Sequence, residues 1–386
     1  MIIYMAAFLS LLLGCCGLIL DLGMMETTKL SLQNAADAAA IGAVLAYQDG
    51  STLAAGGVAD AKLNGFVDGS NQATVTIARP PTSGSYKGSA STVQATITQK
   101  FTPAFTPVSF QISAQATAQI PLPPCVYLLS QYSTQPSLNA INETITGSCP
   151  FYIGSSYYFN GGSSSTGNQF FLHGSPASSS GNVSPTPIES AAMGDPLAYV
   201  PPPSFGTCQF INKSVTNATT LQPGTYCGGL TINTSSAVVL SPGMYVITGN
   251  LYINGPNLTG TGVTFFMTQG GGYSYGVCTI SNVNARLSAP TTGTWQGIFF
   301  FADRNMVPGQ VELALSNWNP SSKVDGILYL VGQELTVSNI PLQGNNYVGI
   351  VADWMSIQNT GFTPSADYST LAGGNPFHIT GASLIE

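Results

Sequence analysis

The first twenty positions, MIIYMAAFLSLLLGCCGLIL, are apolar or small and carry no charge before Asp21. That length matches the roughly 20 residues a helix needs to cross a bilayer. Beyond Asp21 the pattern becomes amphipathic. Glu26, Lys29, Gln33 and Asp37 recur at spacings of three and four and fall on one polar stripe, while Ala35, Ala39, Gly42, Ala43 and Ala46 line another face. No proline interrupts residues 22–47, so the pattern predicts one helix over residues 1–48, about 70 Å long at 1.5 Å per residue. A face of small side chains lets helix backbones approach closely. Two uses are open to it: packing on the chain's own domain, or self-association in a bundle or filament. With Gly14, Gly17 and Asp21 of the preceding run, and Asp37, these are the candidate packing and assembly positions.

Residues 50–66 can prolong or repeat the helix, with a break expected at Gly56–Gly57. The period then changes to two. ATVTIA (73–78), STVQATITQ (91–99) and VSFQISAQATAQI (108–120) alternate apolar with polar residues, which predicts a small half-buried sheet packed on the stalk. From residue 121 onward, glycines followed by apolar β-formers recur at Gly224, Gly243, Gly262, Gly297, Gly326 and Gly349, at spacings of 19, 19, 35, 29 and 23 residues. A near-regular spacing of about 20 residues is what one coil of a β-solenoid requires; a sandwich would show strands every 8–12 residues or so. The expected fold is α+β and mainly β: a long apolar and Ala-rich helix (1–48), a small helix and sheet segment (49–120) and a right-handed parallel β-helix (121–386).

Composition narrows the function. Charged residues make up 6% of the 386, against about 25% in typical soluble domains. Nine basic residues and a net charge of −7 leave nothing to track a phosphate backbone, so nucleic acid is excluded as a partner. A charge-poor surface rich in hydroxyls suits a place outside the cell.

Candidate chemistry is sparse. No CxxC is present, which argues against structural zinc. In an oxidising compartment, pairing Cys125 with Cys149 and Cys208 with Cys227 is the expectation, although connectivity is not readable from sequence. Cys278 is then left over, buried or intermolecular, and Cys15 and Cys16 are read as packing residues. Six sequons, at Asn142, Asn182, Asn212, Asn217, Asn233 and Asn257, are possible glycosylation sites. Parallel β-helices that cleave polysaccharides need clustered carboxylates or calcium-binding acids. Only Asp303, Arg304, Asp325 and Asp353 are eligible, and their offsets from the coil glycines do not coincide. His173 and His378 lie far apart and beside no nucleophile motif. The chain is therefore read as non-enzymatic, without metal or cofactor. Tyr157, Tyr158, Tyr273, Tyr275 and Trp318 offer an adhesive surface if exposed, or close the ends of coils if not.

The stretch LGCCGLILDLGMMETTKLSLQNAADAAAIGAVLA resembles the N-terminal signature of the TadE/TadG-like proteins of Tad (Flp) pilus systems. Asp21, Gly23, Leu32, Gln33, Ala35, Ala36, Asp37, Ala38 and Ala39 carry the match; the Arg-Gly-bearing leader usual in that family is not found ahead of the apolar run. The segment from Asp195 to about 253, with Pro196, Pro203, Cys208, Pro223, Gly224, Tyr226, Cys227 and Gly228, resembles the β-helical region of many TadG-like proteins. The resemblance implies a structural, pilus-associated subunit at the cell surface, self-associating through its N-terminal helix, in contact with the membrane before or during assembly and with other pilus-system proteins. The alternative is a membrane-anchored assembly protein or tip adhesin that displays the β-helix, and a polysaccharide-degrading enzyme comes third.

Overall fold

The computed structural model describes residues 2–48, 51–120, 125–130, 135–147, 149–174, 181–190, 192–307, 312–377 and 383–385. The protein is mainly β with one long N-terminal helix, and it divides into two compact units, residues 1–122 with 378–386 and residues 123–377.

In the first unit, helix α1 runs over Ile2–Gln48 and helix α2 over Leu53–Leu63, its N-terminus capped by the Thr52 hydroxyl, which accepts from the Ala55 amide. Strands β1 (Ala73–Ala78), β2 (Thr92–Phe101) and β3 (Phe110–Gln119) pair antiparallel in that order, and Ser383–Leu384 adds to the free edge of β3. The inward residues of the sheet, among them Val75, Val93, Ala95, Ile97 and Ala116, share one core with Leu32, Ala35, Ala39, Ala43 and Val44 of α1. The boundary expected at residues 48–49 therefore separates no cores.

The break expected at Gly56–Gly57 does not occur: α2 runs straight through both glycines. They are needed for a different reason. A Cβ on Gly56 would lie 2.3 Å from the Gly42 carbonyl oxygen and 2.4 Å from the Ala46 Cβ, and one on Gly42 would lie 2.1 Å from an Asp60 carboxylate oxygen. The two helices touch backbone to backbone, and burial of that contact outweighs the low helix propensity of glycine, a cost of about 1 kcal/mol per residue.

In the second unit every named strand pair is parallel, which excludes the antiparallel sandwich. The stacking order is not the chain order. From Phe210–Val215 the ladder climbs through Gly224–Asn233, Gly243–Asn254, Val263–Thr268 with Tyr275–Ser281, Ile298–Ala302 with Glu312–Ser316, and Lys323–Ser338 to Val348–Gln358. It then continues onto the beginning of the unit: Val348–Gln358 pairs with Val126–Leu128 and Leu138–Ile141, these with Phe151–Ile153 and Tyr157–Asn160, and the stack ends at Phe170–Leu172 and Ile188–Glu189. In-register stacking places like residues above one another. Phe266, Phe301 and Tyr329 form one aromatic column and Tyr127, Tyr152 and Phe171 another. At one corner, Asn282 donates to Asn254 and Asn254 to Asn233, while Asn359 donates to Asn339 and Asn339 to Asn317. Asn282, Asn317, Asn339, Asn359 and Asn142 have φ between 51° and 54°, the left-handed conformation that asparagine tolerates best after glycine.

This order obliges residues 192–209 to run back along the stack, which is about 50 Å tall at roughly 4.8 Å per strand step. Named contacts mark the path. The Tyr329 hydroxyl donates to Asp195 at 2.5 Å, Arg304 pairs with Asp195 at 3.4 Å and donates to the carbonyls of Leu197 and Val200 at 2.7 and 2.8 Å, and the Trp295 indole donates to the Pro201 carbonyl at 2.9 Å. Cys208, joined to Cys227, ends the return strap beside the strand Phe210–Val215. Burial and then the Asp195 carboxylate hold the Tyr329 hydroxyl well above the usual tyrosine pKa, so it stays a donor.

Two outcomes follow. Gly56→Leu should destabilise the first unit by about 3 kcal/mol through overpacking, read as faster hydrogen exchange in α2 and β1. Gly14→Leu, where a Cβ would meet nothing within 4 Å, should leave that exchange unchanged. Asp195→Ala, which leaves Arg304 and Tyr329 facing each other without the carboxylate, should cost about 2 kcal/mol. That is a fall of about 4–8 °C in the melting transition of the second unit.

Candidate assembly site

The two halves of α1 differ in what covers them. In the C-terminal half, Ala35, Ala39, Gly42 and Ala43 are buried and Asp37 and Ala46 half-buried, all of them inside the first unit. Gln33 bridges to the Asp37 carboxylate at 2.8 Å and to the Gln115 carbonyl at 3.1 Å. The small face is thus occupied by α2 and the sheet.

In the N-terminal half the described large side chains are uncovered. Tyr4, Met5, Phe8, Leu9 and Leu12 are exposed, as are Leu18, Ile19, Leu20 and Leu22; Phe8 is 64% and Ile19 67% exposed. Cys15 and Cys16, expected as packing residues, are also exposed. The expected membrane span is not found: among the described residues no helix is long and apolar enough to cross a membrane. Asp21, Glu26 and Lys29 close the uncharged stretch after Leu20.

Gly17 and Asp21 sit between these halves and are engaged within the unit. The loop joining β2 to β3 folds onto α1 there. The Asp21 carboxylate accepts the backbone N–H groups of Ala104, Phe105 and Thr106 at 2.8–3.2 Å, and the Thr106 hydroxyl as well. A Cβ on Gly17 would lie 3.1 Å from Phe105. Burial alone would raise the Asp21 pKa, but the hydrogen bonds from Thr106, Phe105 and Ala104 outweigh it and hold the carboxyl below its ordinary value. Its tie to the loop is present above that ordinary value of 3.8 and is lost as pH falls through the lowered one. The loop itself carries Phe105 and Val108, both exposed, so it adds apolar surface to that of the helix.

Elsewhere the acids hold other segments of the chain through hydrogen bonds. Glu143, buried, accepts from the amides of Thr360 and Phe362. Asp325 accepts from Asn345 and Asn346 at 2.7 and 2.8 Å, Asp353 from Gly332 at 2.8 Å, and Asp303 from Thr268 at 2.6 Å and Asn305 at 3.0 Å. Arg304 holds the return strap. Among the described residues no group of three His, Cys, Asp or Glu could hold a metal. His173 is exposed beside the Ser190 carbonyl, and His378 lies outside the described residues. Trp318 and Tyr157 are buried in the core, with the Trp318 indole donating to Ile280. Tyr158 is exposed, and Tyr273 and Tyr275 half-buried.

The structure joins Cys125 to Cys149 and Cys208 to Cys227. Each bridge staples segments beside neighbouring parallel strands, and closing loops of this length is worth about 3 kcal/mol against the unfolded chain. Cys278 is fully buried, and that burial raises its thiol pKa. Asn142, Asn182, Asn212, Asn217, Asn233 and Asn257 are all exposed, with Asn233 and Asn257 accepting from Asn254 and Asn284.

The sequence reading passed over one acidic pair. Glu312 and Glu334 lie opposite each other on parallel strands. Burial, then the Glu312 charge, raises the Glu334 pKa above its ordinary value of 4.5. An acid whose folded pKa is raised contributes most below its unfolded value and loses that contribution as pH rises through the folded one. Glu334→Gln should therefore raise the second unit's melting temperature at pH 7 by about 1–2 °C, about 0.5 kcal/mol after solvent screening. The gain should vanish below about pH 4.5, where the native carboxyl is protonated.

No curated protein and no solved structure matches the chain. The half-exposed helix and its Ala-rich, buried C-terminal half coincide with a family match: residues 1–49 match the family described as putative Flp pilus-assembly, TadE/G-like.

Proposed function

We propose that this chain is a structural, non-enzymatic subunit of a Tad-type pilus or its apparatus at the cell surface. It assembles through the N-terminal half of α1 and displays the second unit as a right-handed β-solenoid. The observation that carries the reading is the contrast along α1: its small-residue face is consumed within the unit, whereas Tyr4, Met5, Phe8, Leu9, Leu12, Leu18, Ile19, Leu20 and Leu22 are exposed. A helix that is apolar all round requires burial against other helices or lipid. Covering a large apolar side chain is worth about 1.5–3 kcal/mol, so the exposed set exceeds the entropic cost of association, about 4–15 kcal/mol. The family match of residues 1–49 supports a pilus-related role and other pilus-system proteins as partners. The unbroken parallel ladder supports the solenoid, and right-handed winding is the rule for parallel crossovers.

Material sheared from the native cell surface and analysed by electron microscopy with mass spectrometry tests this. Fibres containing this chain are expected, and Phe8→Glu with Ile19→Glu should abolish its incorporation while leaving the second unit folded. Finding the chain solely in the membrane pellet, or fibres unaffected by both substitutions, would overturn the proposal.

A further inference from the structure

On the outer face of the second unit, Arg286 and Lys323 occupy directly paired positions of neighbouring parallel strands, below Thr259 of the next strand in the same column. They are two of nine basic residues in a chain of net charge −7. Like charges set opposite each other in a sheet repel, and among the described residues the one ion pair joins Arg304 to Asp195, so neither cation is neutralised by an acid. Arg286 is exposed and Lys323 half-buried. They line a surface cavity of about 440 Å³, together with Thr261, Ser288, Ser321 and Asn345; the Ser321 hydroxyl also bonds Asn284 and Asn319. That volume lies within the range of small-ligand sites, about 300–1,000 Å³. Asp325 borders the same cavity, with its oxygens taken by the amides of Asn345 and Asn346.

We propose that the Arg286 and Lys323 pair, with its rim of hydroxyl and amide groups, binds the carboxylate-bearing sugar units of an acidic polysaccharide. A guanidinium offers a carboxylate two parallel N–H donors, and an adjacent ammonium adds a point charge. Hydroxyls and an amide around them match the alternating donors and acceptors of a sugar ring. The ligand relieves the repulsion between the two cations. Asp325 and the acidic chain as a whole disfavour a dense polyanion such as a nucleic acid or a multiply charged phosphate, whereas one negative charge per sugar is compatible with both.

Calorimetric titration of the full chain with tri-galacturonate tests the assignment, with maltotriose and inorganic phosphate as separate titrants. Saturable binding of tri-galacturonate that weakens with added salt is expected, and no binding of maltotriose. Arg286→Gln with Lys323→Gln should weaken tri-galacturonate binding by about tenfold or more without lowering the melting temperature. Lys213→Gln, which removes a charge from the strand Phe210–Val215, should leave binding unchanged. Absence of tri-galacturonate binding, equal binding of maltotriose, binding of inorganic phosphate as tight as that of the uronate, or full retention of binding by the double variant would each overturn the proposal.

Discussion

The contact on which the first unit depends is the passage of two helix backbones at Gly42 and Gly56. The carbonyl of one glycine lies where the other's Cβ would be, so no larger residue fits without separating the helices. Once α2 is held there, the Ala-rich face of α1 is closed to any other partner. The core beneath it, from Leu32 to Val44 against the inward side of the sheet, follows from that closure. What remains available for association is the N-terminal half of α1, with its exposed large apolar side chains, and the β2–β3 loop that Asp21 fastens beside Gly17. One small-residue contact thus decides which part of the helix is buried within the unit and which part keeps its apolar side chains exposed.

The second unit meets a different constraint. A charge-poor chain must satisfy its turns and connections from within. Its few carboxylates do this by accepting backbone amides from segments far away in sequence: Glu143 holds Thr360 and Phe362, Asp325 holds Asn345 and Asn346, and Asp353 holds Gly332. Charge-assisted bonds of this kind are roughly twice as strong as neutral ones. Glu143 has a particular position, since it joins the segment that follows Leu138–Ile141 to the turn after Val348–Gln358, where early and late strands of the unit pair. Asp195, Arg304 and Tyr329 hold the segment that leads back to the strand Phe210–Val215.

Much of this architecture was legible in local pattern. The period of 3.6 announced α1, and the period of two placed β1, β2 and β3 within a residue or two. The glycine blocks at Gly224, Gly243, Gly262, Gly297, Gly326 and Gly349 marked successive parallel strands. Three features were not legible for physical reasons. The stacking of Val126–Leu128 on Val348–Gln358 is a non-local choice that no local period encodes. Gly56 and Gly57 read as helix breakers because their packing partner, α1, is invisible to a propensity argument. Asp325 and Asp353 were weighed as catalytic groups because their backbone partners, Asn345 and Gly332, lie 20 and 21 residues away, outside any local motif. One signal was present and overlooked: the asparagine that ends the strand in INTS, SNVN, SNWN, SNIP and QNTG, at 233, 282, 317, 339 and 359. It marks one corner of the stack, where Asn254 bonds Asn233 and Asn282, and Asn339 bonds Asn317 and Asn359.

The proposed division of α1 into a buried stem and an assembling tip is most directly tested with one of its two exposed cysteines. Dipolar spin-label spectroscopy on assembled surface material would compare a nitroxide at Cys15, in a Cys16→Ser background, with one at Tyr47→Cys near the end of the stem. Neighbouring helices pack at about 8–10 Å, so strong coupling between copies is predicted at position 15 and weak coupling at position 47. Strong coupling at 47 with none at 15 would contradict the account, since the stem rather than the tip would then be the surface through which copies meet.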